Sequence, residues 1–254
     1  MQIKILTLFP EMFAGPFEYS IIKRAQEKKI VSLDIINIRD FALDRYKTVD
    51  DHPYGGGQGM IMRVDIIDSA ISNVKSQMSN KKFKTILLDP IGIPYTQKKA
   101  QELSELDNLI LVCGHYEGVD ERIRGLVDEQ ISIGDYILSG GEIPTMILVD
   151  SIVRLVPGVL RDAHTSEDES FSSGLLEYPQ YTRPDVYKDR KVPEVLRSGN
   201  HKQIESWKKQ QAKTRTGSLP TSQDADRQSS PGPSQGVKGF CFGAKKAGPF
   251  SRRV

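Results

Sequence analysis

The chain has 254 residues, with 35 Lys+Arg against 33 Asp+Glu for a formal net charge of +2, and is 38% apolar and 27% charged. That length and balance suit one large domain, or a medium domain with a small one, and exclude a chain disordered throughout. The longest apolar runs fall far short of the roughly 18 residues of a membrane helix. The N-terminal MQIKILTLFPEMF has too short an apolar stretch and no small-residue cleavage site, so no secretory signal is expected. Two cysteines, Cys113 and Cys241, exclude a disulfide framework and suit a reducing cytoplasm. The histidines (His52, His115, His164, His201) are scattered and show no metal-ligand spacing, so no metal site is expected from spacing.

In chain order, the run 3–9 (IKILTLF) predicts a buried strand, 16–28 an amphipathic helix and 32–38 a second strand. Residues 50–62 (DDHPYGGGQGMIM) form a glycine-rich loop that is neither a phosphate loop nor a dinucleotide fingerprint. Its glycines would allow close backbone approach to a ligand. A helix is expected at 64–77, a strand at 84–88 ending in Asp89-Pro90-Ile91-Gly92, a helix at 96–106 and a strand at 109–113 running into CGHYEGVDER (113–122). The segment 131–144 (ISIGDYILSGGEIP) is a third such junction, and the run after Pro144 has helical spacing. Alternating β and α segments predict an α/β domain with a mostly parallel sheet, and the rarity of knots favours an open doubly wound topology. Three strand-to-loop junctions with Gly or Pro place a ligand outside the carboxyl ends of the strands.

Residues 162–173 (DAHTSEDESFSS) are acidic and aperiodic, as in a mobile linker or lid. Helical character returns over 192–214, with Val195, Leu196, Ile204 and Trp207 expected to form a buried stripe. From about Gly217 the chain is rich in Ser, Pro, Gly and Gln, and disorder is expected. The small net charge hides an asymmetry. Residues 1–160 carry 18 Lys+Arg against 22 Asp+Glu, residues 161–177 carry 1 against 5, and residues 178–216 carry 10 against 4. A basic back segment behind an acidic front points to a polyanionic partner.

Six blocks then occur in order: LFPEMF (8–13), DDHPYGGGQGM (50–60), CGHYEGVDER (113–122), SIGDYILSGGEIP (132–144), IVRLVPGVL (152–160) and SFSSGLLEYPQYTRP (170–184). Together they closely resemble the bacterial tRNA (guanine-37-N1)-methyltransferase, or TrmD, family of the SPOUT class, over residues 1 to about 211. The resemblance implies an α/β fold with a deep C-terminal trefoil knot at residues 1–160, a flexible acidic linker at 161–176, and a small basic helical tRNA-binding domain at 177–216. An atypical tail, 217–254, inherits nothing from the resemblance. It implies S-adenosyl-L-methionine as methyl donor, held in the knot by Pro90, Gly114, Tyr116, Glu117, Ser132, Ile133, Gly134, Asp135, Tyr136, Ile137, Leu138, Gly140 and Gly141. Magnesium is also implied, without a visible ligand cluster. The partners are tRNA with guanine at position 37 and a second copy of the chain. Each active site is then built from the knot of one subunit and the C-terminal domain of the other.

Methylating N1 of guanine needs a base for the N1 proton and a cation for the charge developing on O6. The resemblance assigns the cation to Arg154. The family's Asp-Ser-Phe is here Asp168-Glu169-Ser170-Phe171; strict register puts Glu169 at the base position, with Asp168 one residue earlier, and either carboxylate suits the role. Phosphate contacts fall on Arg183, His201, Lys202, Lys208, Lys209 and Arg215. A SPOUT enzyme for another nucleotide and a non-catalytic tRNA-binding relative are the alternative readings.

Overall fold

A computed structural model describes residues 1–78, 82–160 and 175–218. The expectations for Asp168, Glu169 and most of the acidic linker, and for the tail from 219, lie outside the described residues. The chain divides into two units, Met1–Glu177 and Tyr178 onward.

The first unit has strands β1 (Gln2–Thr7), β2 (Ser32–Asn37), β3 (Asp50–Asp51), β4 (Ile61–Met62), β5 (Phe83–Pro94), β6 (Asn108–Cys113) and β7 (Glu129–Ser132). Its helices are α1 (Ser20–Glu27), α2 (Val64–Ser76), α3 (Gln97–Ser104) and α4 (Glu142–Val153). Five strands form one sheet in the order β2-β1-β6-β5-β7, and every pairing in it is parallel. Strand β6 lies at the centre. Its Leu109, Leu111 and Cys113 enter the core on one face, with residues of α1, α3 and α4. Its Ile110 and Val112 enter the core on the other, with residues of α2. Two buried faces explain why NLILVC is apolar throughout rather than alternating.

Local chemistry sets the element ends. The α1 helix starts later than the amphipathic pattern predicts, because Gly15 at φ +94° opens a turn in which the Glu18 N–H donates to the Gly15 carbonyl (3.0 Å). Thr96 caps α3 by accepting from the Lys99 N–H (3.3 Å). The main correction is at β5. It runs to Pro94, whereas the sequence reading ended it at Leu88. Leu88 and Ile93 both pair with Ile131, and the register shifts between them, so Asp89–Gly92 is an irregularity inside a strand rather than a loop. Position 92 must be glycine: a β-carbon there would lie about 2.5 Å from the Gln130 carbonyl carbon and overlap the Ile131 backbone.

After β7, at the sheet edge, the chain returns to the end of β6, where the Gly141 N–H donates to the Gly114 carbonyl (2.7 Å). From there α4 buries Leu148, Val149, Ile152 and Val153 in the core. Ile143 and Ile147 on the same helix remain substantially exposed.

The second unit has a two-stranded ribbon, β8 (Val186–Tyr187) with β9 (Arg190–Lys191), then helices α5 (Glu194–Arg197) and α6 (His201–Gly217). Asn200 caps α6 by accepting from the Gln203 N–H (3.2 Å). Neither helix contains a buried residue. The expected buried stripe of Val195, Leu196, Ile204 and Trp207 is therefore only half-buried. The physical reason is area: a four-residue helix, a 17-residue helix and a short ribbon provide too little surface to enclose one. Trp207 instead meets Tyr178 edge-on at 6.4 Å, and the Lys208 ammonium lies over that tyrosine ring at 4.8 Å. Among the described residues, no helix is long and apolar enough to cross a membrane.

Gly92→Ala should destabilise the fold by about 1–3 kcal/mol through overpacking against β7. Gly125→Ala, where a β-carbon meets open space at an ordinary φ, should stay within about 0.5 kcal/mol of wild type. Urea denaturation of the two variants checks the contrast.

Candidate active site

The carboxyl ends of β5, β6 and β7 surround a cavity of about 390 Å³, a size suited to a small-molecule ligand. The β5 irregularity supplies Asp89 and Pro90, the loop after β6 supplies Gly114 to Val119, and the segment from Ile131 to Gly141 closes the other side. Pro90, Gly114, Tyr116, Glu117, Ser132, Ile133, Gly134, Tyr136, Ile137, Leu138, Gly140 and Gly141 all line it. Asp135 is exposed and is not among the lining residues. Leu88, Asp89, His115, Val119, Ile131, Ser139 and Pro144 also line the wall. All seven lie in the three strand-to-loop junctions expected to carry a ligand, but nothing in the local pattern separated them from their neighbours there.

Two glycines make the wall possible. A β-carbon at Gly141 would stand 2.8 Å from the Cys113 Cα and 2.9 Å from the Gly114 nitrogen, and one at Gly140 would overlap His115 and Glu142. Beneath them Glu142, in the first turn of α4, is 1% exposed. The Thr7 hydroxyl donates to its Oε1 (2.8 Å), and its Oε2 lies 3.6 Å from His115 Nδ1. A carboxylate here is favoured by the N-terminal end of the helix dipole. The His115 ring is further held by Phe9 and Tyr116, with centroids at 4.7 and 5.2 Å. His115 thus has a structural partner set and also faces the cavity.

Tyr116 has φ +59°, an uncommon conformation for a bulky residue and one that clusters at ligand sites. It persists because both sides are tied down. Arg39 donates to its hydroxyl (3.2 Å), the Gly118 N–H donates to the His115 carbonyl (3.3 Å), and the Glu117 N–H donates to the Met60 carbonyl (3.1 Å). Asp89 accepts from the Ile91 N–H (2.9 Å) and pairs with Arg124 (3.2 Å). Arg124 also bonds Glu121 (2.8 Å) and Gln130, fixing the irregular turn of β5 to its neighbours. The acidic side chains on the wall are Glu117 and Asp89, the latter offset by Arg124, and no Lys or Arg lines it, so the wall carries a net negative charge that suits a cationic ligand. Burial pushes the Cys113 thiol well above its ordinary range. With its contact to the Thr145 hydroxyl at 3.2 Å, it is a packed side chain and not a nucleophile.

The family model described as "tRNA (Guanine-1)-methyltransferase TrmD" matches residues 1–220. The chain belongs to that family. The match runs past residue 211, where the motif resemblance stops. The chain is 54% identical over 217 residues to the tRNA (guanine-N(1)-)-methyltransferase of Pelotomaculum thermopropionicum, covering 85% of this chain and 86% of the relative. It is 57% identical over 213 residues to the enzyme of that name from Carboxydothermus hydrogenoformans, covering 84% and 83%.

Arg154, the arginine singled out from the TrmD motifs, is the C-terminal cap of α4. The cavity is at the other end: Gly141 is the N-cap, and thirteen residues of helical rise separate the two by about 20 Å. One chain therefore does not bring Arg154 to its own cavity. Arg154 falls on the same helical stripe as the exposed Ile143 and Ile147, at i+11 and i+7. In the second unit, His201, Lys202 and Lys209 share one face of α6 with Glu205 and Ser206. Lys208 is turned to Tyr178 and Glu205 (3.7 Å), and Arg183 is exposed. Arg215 lies in the last turn of α6.

Thr7→Val keeps the side-chain shape but removes the donor to Glu142. It should cost about 1–3 kcal/mol at neutral pH by leaving a buried carboxylate short of a hydrogen bond, measured as a lower urea midpoint with an unchanged slope.

Proposed function

We propose that the protein transfers the methyl group of S-adenosyl-L-methionine to N1 of guanine 37 in tRNA. The observation that carries this reading is the cavity itself. In a chain of the TrmD family, a glycine-walled pocket lined by Glu117 and the Arg124-paired Asp89, with no Lys or Arg in the wall, lies against three parallel strands. A sulfonium supplies an electrophilic methyl group, and a cationic ligand is what that wall favours. Gly140 and Gly141 bring backbone to the wall where a side chain would overlap its neighbours. The return of the chain from β7 to the end of β6 supports the deep trefoil knot of the SPOUT class.

A carboxylate, Glu169 or its neighbour Asp168, takes the N1 proton. The N1 electron pair then forms the new bond to the methyl carbon as the carbon–sulfur bond breaks and its electrons return to sulfur. Arg154 stabilises the charge that builds on O6. Because Arg154 and the cavity occupy opposite ends of α4, the working site combines the cavity of one chain with Arg154 of a second. The exposed apolar stripe of Ile143 and Ile147 beside Arg154 fits that homodimer contact. The α6 face with His201, Lys202 and Lys209, together with Arg183, Lys208 and Arg215, supplies sequence-independent phosphate contacts. Among the described residues, no group of three or more His, Cys, Asp or Glu could hold a metal ion.

Methyl transfer to tRNA transcripts with guanine or adenine at position 37 tests the reading. Guanine should be methylated and adenine not; equal transfer to both contradicts it. Arg154→Ala should lower kcat by about 10²–10³-fold while leaving cofactor affinity within about twofold, because no cofactor contact is assigned to it.

A further inference from the structure

The buried Glu142 has no task in the chemistry above. A carboxylate taken out of water is costly unless a cation or several donors satisfy it. The Thr7 hydroxyl serves only one of its oxygens, Oε1 (2.8 Å). Among the described residues its ion-pair partner is His115, whose Nδ1 stands 3.6 Å from Oε2. That nitrogen is buried and makes no hydrogen bond. The two groups face each other as a charge pair that is close but not closed.

The pair lies one backbone behind the cavity wall. Gly140 lines the cavity, and a β-carbon there would overlap both Glu142 Oε2 and His115 Nδ1. His115 lines the same cavity, and its side chain keeps 20% exposure. Other elements bring it no second basic group. The end of β1 contributes Thr7 and the Phe9 ring. Its own segment contributes Tyr116, Glu117 and the Cys113 thiol, which burial keeps protonated. Across the cavity stand Tyr136 and Asp89, and Arg124 is paired to Asp89.

We propose that the His115 imidazolium and the sulfonium of the cofactor are alternative counterions of Glu142, so that His115 distinguishes the methyl donor from the neutral thioether left after transfer. The proposal rests on the S-adenosyl-L-methionine reading of the cavity. With the ring protonated, the buried charge is cancelled and a second cation beside it is repelled. With the ring neutral, the field of Glu142 reaches the cavity and favours the sulfonium. The thioether has no charge at sulfur and is indifferent to the exchange. Binding of the donor therefore displaces a proton, and falling pH weakens the donor more than the product.

Calorimetry of the full chain tests this with S-adenosyl-L-methionine and S-adenosyl-L-homocysteine, in buffers of different ionisation enthalpy, which counts the protons exchanged. The two compounds share every charged group except the sulfonium. From about pH 5.5 to 7, within the range where imidazoles titrate, the donor should release more protons than the product. Over that range the ratio of donor to product affinity should rise about three- to tenfold, one coupled proton giving at most about tenfold per pH unit. His115→Gln, neutral at every pH, should hold the ratio at its high-pH value. His115→Arg, charged at every pH, should hold it at its low-pH value. A change of cavity shape would move both compounds together and does not imitate that contrast. Equal proton release with the two compounds overturns the proposal, as does a pH-dependent ratio that survives in His115→Gln. A wild-type chain that binds neither compound contradicts the cofactor reading instead, so the two failures are distinguishable.

Discussion

The backbone of Gly141 passes Cys113 and Gly114 so closely that a β-carbon would lie 2.8 Å from the Cys113 Cα, and the Gly141 N–H donates to Gly114 across that gap (2.7 Å). This crossing places the start of α4 beneath the end of β6. The buried Glu142 then follows at once, between Thr7 and His115. A second tight passage, Gly92 against β7, sets the opposite wall. Between them the cavity is shaped by backbone, which cannot change rotamer, so its form is set before a ligand arrives.

Much of the first unit was legible because its signals are local. Continuous apolar runs such as NLILVC report two covered faces, and Thr96 reports a helix start. The β5 extension was not legible, because Asp-Pro-Ile-Gly has turn composition. Only the long-range pairing of Ile93 and Pro94 with β7 makes it strand. Glu142 was missed for a related reason. A lone glutamate at a helix start reads as a solvated first-turn acid, and its burial depends on Thr7, 135 residues away.

The site residues divided in the same way. Those in the strand-end junctions, Asp135 excepted, converge on one cavity, since short loops at strand ends have little freedom. Arg154 does not join them, because a rigid helix separates it from the cavity. The second unit was over-read as a core. Val195, Leu196, Ile204 and Trp207 have helical spacing, but spacing reports which side chains share a face, not whether anything covers it. The charge asymmetry has a similar limit. It marks a basic α6 face, while the net +2 averages that face with an acidic cavity.

The central claim is that one working site needs the cavity of one chain and Arg154 of another. Complementation measures this directly. Arg154→Ala is mixed, under conditions of subunit exchange, with Gly114→Leu, which fills the cavity, and methyl transfer to tRNA is recorded. Two individually inactive variants should recover about a quarter of wild-type activity, since random pairing makes half of the dimers hybrid and each hybrid retains one intact site of two. A mixture that stays as inactive as its components, with hybrid dimers demonstrated by mass, would contradict the account.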